Sequence, residues 1–178
     1  MKHKKLLIVL VVVAALAAGA LAYAAFTSTA STDPYFVSTG TSGLDITGTH
    51  GWYPTGGLCD LMPAIDGGGF GSDYARELHV CLENNGATDF QNIALSASLT
   101  SNPRDVGSVL MVAVKGPDDV VQGPFSVDQF ISGSVNLGPL AEGDSIQVCI
   151  AVWLDQNAGD QFQGLEIDPG LTFIFTGT

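Results

Sequence analysis

Ile146-Gln147-Val148-Cys149-Ile150-Ala151-Val152-Trp153-Leu154 is the stretch that decides the fold. Apolar residues at 146, 148, 150, 152 and 154 recur at the period of two that marks a strand with one face on a core. The same pattern returns on both sides of it. Leu78, Val80 and Leu82 alternate with His79, Cys81 and Glu83, and Asn84-Asn85-Gly86 closes that run with residue types that tolerate positive φ. Ile93, Leu95, Ala97 and Leu99 form a further strand, and Leu171, Phe173 and Phe175 the last one. Val109 to Val114 is a nearly continuous apolar run, as expected of a strand covered on both faces. Leu44-Asp45-Ile46, Val120-Val121 with Phe125 to Val127, and Val135 with Leu137 supply shorter pieces, and Asp128 to Ser132 one helical turn. Residues 50–73, dense in glycine and proline, read as a long surface loop. The predicted class is all-β, an antiparallel two-sheet sandwich of seven to nine short strands.

The N-terminus differs from all of this. Lys2, Lys4 and Lys5 precede Leu6 to Ala22, which carry no charge, and Ala22-Tyr23-Ala24 fits a small-residue cleavage site. Residues 1–24 are therefore expected to be a signal peptide, cut between Ala24 and Ala25 by a signal peptidase during export. An uncleaved membrane anchor is the other reading of the same apolar run. Cleavage would leave 154 of the 178 residues, with all 18 acidic residues against Arg76, Arg104 and Lys115, a formal net charge of −15. Such a surface repels phosphate backbones, so no nucleic-acid partner is expected. The expected location is secreted, outside the cell or at its surface.

Little in the chain points to chemistry. His50 and His79 are the two histidines beyond the leader, and no H-E-x-x-H or G-x-S-x-G spacing is present. Gly67-Gly68-Gly69-Phe70-Gly71 lacks the Lys-Ser/Thr of a phosphate loop. Asp118-Asp119 and the Asp155–Asp160 loop do not match a calcium loop and read as solvated turns. No catalytic residue, cofactor or metal site is expected. Cys59, Cys81 and Cys149 permit one disulfide in an oxidising compartment. A bridge between Cys81 and Cys149, both on strand faces opposite the main apolar set, is geometrically possible, and the sequence leaves the pairing open.

Three segments then bear on function together. Tyr23-Ala24-Ala25-Phe26 is followed by Tyr35-Phe36-Val37-Ser38 and Gly43-Leu44-Asp45-Ile46. Val80-Cys81-Leu82-Glu83-Asn84-Asn85-Gly86 precedes the Ile93/Leu95 strand. Asp155-Gln156-Asn157 leads through Phe162-Gln163-Gly164 to Leu171-Thr172-Phe173. In order and spacing these resemble the TasA/camelysin family of secreted fibre-forming proteins, archaeal bundling-pilus subunits included. The resemblance implies a jelly-roll domain over 44–178, preceded by an extended donor segment over 25–43. It further implies a homopolymer, in which the donor segment of one subunit completes a sheet of the next, with lateral bundling of the filaments. Phe26, Tyr35, Phe36 and Val37 are the expected apolar anchors of the donor, with Ala30 and Thr32 as small residues in the groove. The physical basis is the unpaired N–H and C=O groups of an open sheet edge, which another chain's extended segment satisfies.

Two other readings stand beside this one. A monomeric surface adhesin or carbohydrate-binding jelly roll would use Trp52, Tyr53 and the 50–73 loop as an aromatic platform. A metallopeptidase, a label carried by camelysin-like relatives, has no zinc motif in this sequence.

Overall fold

The computed structural model describes residues 37–51, 58, 61–100, 102–164 and 171–178. The expected signal peptide and its cut at Ala24 and Ala25 lie outside them, as do Phe26, Ala30, Thr32, Tyr35, Phe36, Trp52, Tyr53 and Cys59. The described strands are β1 (Val37–Thr39), β2 (Leu44–Gly51), β3 (Arg76–Asn84), β4 (Ile93–Leu99), β5 (Leu110–Lys115), β6 (Val121–Ser126), β7 (Val135–Asn136), β8 (Ser145–Leu154) and β9 (Leu171–Gly177). The helical turn expected near Asp128 is α1, Val127–Ile131. Its start is set by a capping box: Ser126 Oγ accepts the Gln129 N–H, and Gln129 Oε1 accepts the Ser126 N–H.

The strands form an all-β sandwich of two sheets. Sheet one runs β1-β9-β4-β7 and sheet two β2-β3-β8-β5-β6. Every pairing is antiparallel except that of β1 on β9. The chain changes sheet from β1 to β2, β3 to β4, β4 to β5, β6 to β7, β7 to β8 and β8 to β9. The order β1-β9-β4-β7 over β3-β8-β5-β6, with β2 added at the rim, is that of a jelly roll. Leu78, Val80 and Leu82 with Val148, Ile150, Val152 and Leu154 meet Ile93, Leu95, Phe173 and Phe175 between the sheets, all but fully buried. Phe130 of α1 reaches the same layer, edge-on to Phe173 at 6.1 Å between ring centroids. Each of these side chains contributes about 1.5–3 kcal/mol through burial.

Two points depart from the expectations above. Val37, expected as an anchor in a neighbour's sheet, lies in β1 and pairs with Phe173 of its own chain. Val37–Thr39 thus belong to sheet one, where they pair backbone groups along the β9 edge. At Asn84-Asn85-Gly86 no residue has positive φ. Asn84 acts instead through its buried side chain. Its Nδ2 donates to the carbonyls of Thr88 (2.9 Å) and Leu140 (3.1 Å), and its Oδ1 accepts the Gly86 N–H (3.0 Å). The left-handed residue is Gly43, opposite, where an added Cβ would come within 2.7 Å of the Gly86 Cα.

The outer face of sheet two carries a second, smaller core. Ala113 and Ala151 are buried there beside Trp153, with Ala64 and Ala75 above them and Phe70, Tyr74 and Met111 packed around. The lid is the glycine-rich segment expected to be a surface excursion. The Ala64 N–H donates to the Leu154 carbonyl (3.0 Å), bringing the loop over the sheet. Asp66 Oδ1 then accepts the Gly68 N–H (3.0 Å) and the Ser72 hydroxyl (2.9 Å). Gly68, at φ +72°, lies so close on Trp153 that any Cβ would enter the indole ring.

Two predictions follow from this packing, both read in a Trp52→Phe background so that Trp153 is the sole indole. Gly68→Ala should cost about 1–3 kcal/mol by overpacking, seen as an earlier denaturation midpoint and red-shifted Trp153 emission. The Gly68 N–H, and next the Ser72 hydroxyl, hold the Asp66 carboxyl below its ordinary pKa. Its folded value lies under its unfolded one, so the loop's hold is full above the ordinary carboxylate range and is lost as pH falls through the folded value. Acid titration of Trp153 emission should show this release, and Asp66→Asn should flatten it.

Candidate functional site

Register places chemistry-bearing residues in one row across the outer face of sheet two. His50 of β2 is opposite His79 of β3, His79 opposite Cys149 of β8, and Cys149 opposite Lys115 of β5. Directly opposite residues on one face of an antiparallel pair have Cβ atoms about 4.5–5.5 Å apart, close enough for side chains to meet. Cys149 Sγ and His79 Nδ1 do meet, at 3.0 Å. On the other side of the ring, His79 Nε2 lies 3.8 Å from Glu77 Oε2. Glu77 is fixed in turn by the glycine-rich lid, whose Gly71 N–H donates to Oε1 at 2.5 Å. His79, Cys149 and Lys115 line a cavity of about 440 Å³, with Asp119, Ser145 and Gln147 also on its walls.

Burial pushes the Cys149 thiol above its ordinary pKa. Lys115 opposes this, while Glu77, Asp119 and Cys81 add to it. The sulfur therefore favours its protonated form; Sγ and Nδ1 share one hydrogen bond, whose direction follows the ring tautomer, and Nε2 faces Glu77. This is the Cys–His–carboxylate order of a thiol catalyst, but the thiol is the neutral, weakly nucleophilic form. Cys149 also sits mid-strand, paired on both sides by β3 and β5, so its backbone serves the sheet.

The Cys81–Cys149 bridge that the strand pattern allows is not formed: both thiols are free. The two do share a face, but Cys149 is opposite His79 and Cys81 opposite Gln147, so they are diagonal neighbours. The imidazole, not Cys81, occupies the position across from Cys149. The pairing of Cys149 with His79 has no trace in linear spacing, since 70 positions separate them. Only the β3–β8 register reveals it.

The carboxylates expected in solvated turns are engaged locally. Asp118 Oδ1 accepts the Val120 N–H, Asp155 Oδ1 accepts from Asn157, and Asp160 Oδ1 from Gln163. Among the described residues, no helix is long and apolar enough to cross a membrane.

No protein-family model matches the chain, and no curated protein matches it. Among solved structures the chain is similar to AvmM, described as catalysing macrocyclization in alchivemycin A biosynthesis. The match has 11% identity and a TM-score of 0.33, over 58% of this chain and 77% of that one. A likeness this distant carries nothing about what the present chain does.

Proposed function

We propose that this chain is a secreted structural subunit that polymerises into extracellular filaments, the N-terminal segment of one subunit completing a sheet of the next. The observation that carries this reading is β1. It is a three-residue strand lying parallel on the seven-residue β9 at the edge of sheet one, and Gly40 and Thr41 continue the contact by hydrogen bonds to Phe175 and Gly177. Its Thr39 hydroxyl is buried without a hydrogen-bond partner among the described residues. A short strand that leaves a buried polar group unsatisfied is weakly held. The same sequence donated by a neighbour makes the same three pairs. Exchange of an identical element costs little, and when donor and acceptor surfaces differ the contact is head-to-tail and need not close. The resemblance of the N-terminal and C-terminal motifs to fibre-forming secreted proteins supports the same reading.

Residues 25–178 should form filaments visible by negative-stain electron microscopy. Residues 37–178, which keep β1, should remain a folded monomer. Filaments persisting without residues 25–36 would rule out the donor role. Because subunits at a formal −15 repel one another over about 8–10 Å, light scattering should show faster growth as ionic strength rises.

A further inference from the structure

We propose that Cys149, His79 and Cys81 bind one thiophilic divalent cation, of the zinc class, on the outer face of sheet two. The inference is independent of the filament reading. Its core is the pair already in contact, Sγ of Cys149 and Nδ1 of His79, 3.0 Å apart and bordering an open cavity of about 440 Å³. A tetrahedral ion bonded at ~2.3 Å to sulfur and ~2.0–2.1 Å to nitrogen holds those atoms about 3.5 Å apart. The pair needs to open by only about half an ångström, with the ion taking the place of the shared proton.

Glu77 supplies the second mark of such a site. A metal-bound imidazole characteristically gives its other N–H to a carboxylate, which fixes the tautomer and the ring plane. Here Nε2 faces Glu77 Oε2, and Glu77 is itself anchored by the Gly71 N–H. The imidazole is thus turned with Nδ1 toward the sulfur.

Cys81 is the third donor. It lies two residues from His79 on the same face of β3 and diagonal to Cys149, and it is a partly exposed free thiol. Among the described residues no three donors already converge. The set is completed by a rotamer change that turns the Cys81 sulfur toward the pair. The fourth position faces the cavity and takes water.

The exchange balances. Two thiol protons leave to solvent, two thiolates and one imidazole bind the dication, and the site's net charge is unchanged.

The test is a cobalt(II) titration of the reduced, chelator-treated chain carrying Cys59→Ser. A thiolate-to-cobalt charge-transfer band should saturate at one equivalent and disappear on adding zinc. Cys149→Ala and His79→Ala should abolish it, Cys81→Ser should weaken it, and Glu77→Gln should loosen binding about 10–100-fold. Circular dichroism checks that each variant is folded. Should a variant not fold, zinc protection of Cys149 and Cys81 from alkylation in the unsubstituted chain, read by peptide mass spectrometry, gives the answer without mutation. Absence of the band, a band unchanged in Cys149→Ala, or alkylation indifferent to zinc would overturn the site.

Discussion

Trp153 pressed against the backbone of Gly68 closes the second face of the central strand β8, and much of the molecule is arranged around that contact. The inner side chains of β8 pack on sheet one, while Ala151 and Trp153 on the outer side pack under the 61–75 lid. For the lid to approach, the neighbouring positions must be small, and Ala113 on β5 and Ala64 and Ala75 on the loop meet that need. The close approach then places Gly71, whose N–H holds Glu77, and the Glu77 carboxylate lies 3.8 Å from the imidazole of His79. Packing of one indole is in this way linked to the orientation of the Cys149–His79 pair some residues away.

The edges of the two sheets are managed differently. On sheet two, β6 exposes Val121 but carries Pro124, which has no N–H to offer, and its pairing with β5 is interrupted by a bulge at Val112/Val114. Proline and bulges are common ways of discouraging strand addition. On sheet one, α1 packs against β4 beside the two-residue β7. Among the described residues the β9 edge is covered by β1 and the Gly40-Thr41 pair that follows it. That contrast agrees with the proposal that strand addition is directed to sheet one.

The inner core was legible from alternation alone, because burial of one strand face leaves a period of two in the sequence. The continuous run at Val109–Val114 likewise announced a strand covered twice. For β8 the outer residues Cys149, Ala151 and Trp153 were read as one face away from the core, and nothing local distinguishes a solvent-facing tryptophan from one under a lid. Glycines 67–69 looked like freedom, whereas Gly68 is required by a tight contact. The Cys149–His79 pair was hidden for another reason. Cross-strand partners depend on register, and a shift of two residues keeps the face while changing the neighbour. Cys81 and Cys149 were correctly placed on one face, yet the register sets an imidazole across from the buried sulfur.

The parallel pairing of β1 with β9 has a directional consequence. Val37 aligns with Phe173 and Thr39 with Phe175, so β1 enters sheet one from the end where β9 begins and advances toward the chain's C-terminus. A neighbour's segment seated in the same register must arrive from that end too. Every subunit would then be threaded with one orientation, giving a polymer whose two tips are chemically unlike: one presenting an unused tail, the other an unfilled edge. Growth and capping at such tips would be separate processes, each open to its own control.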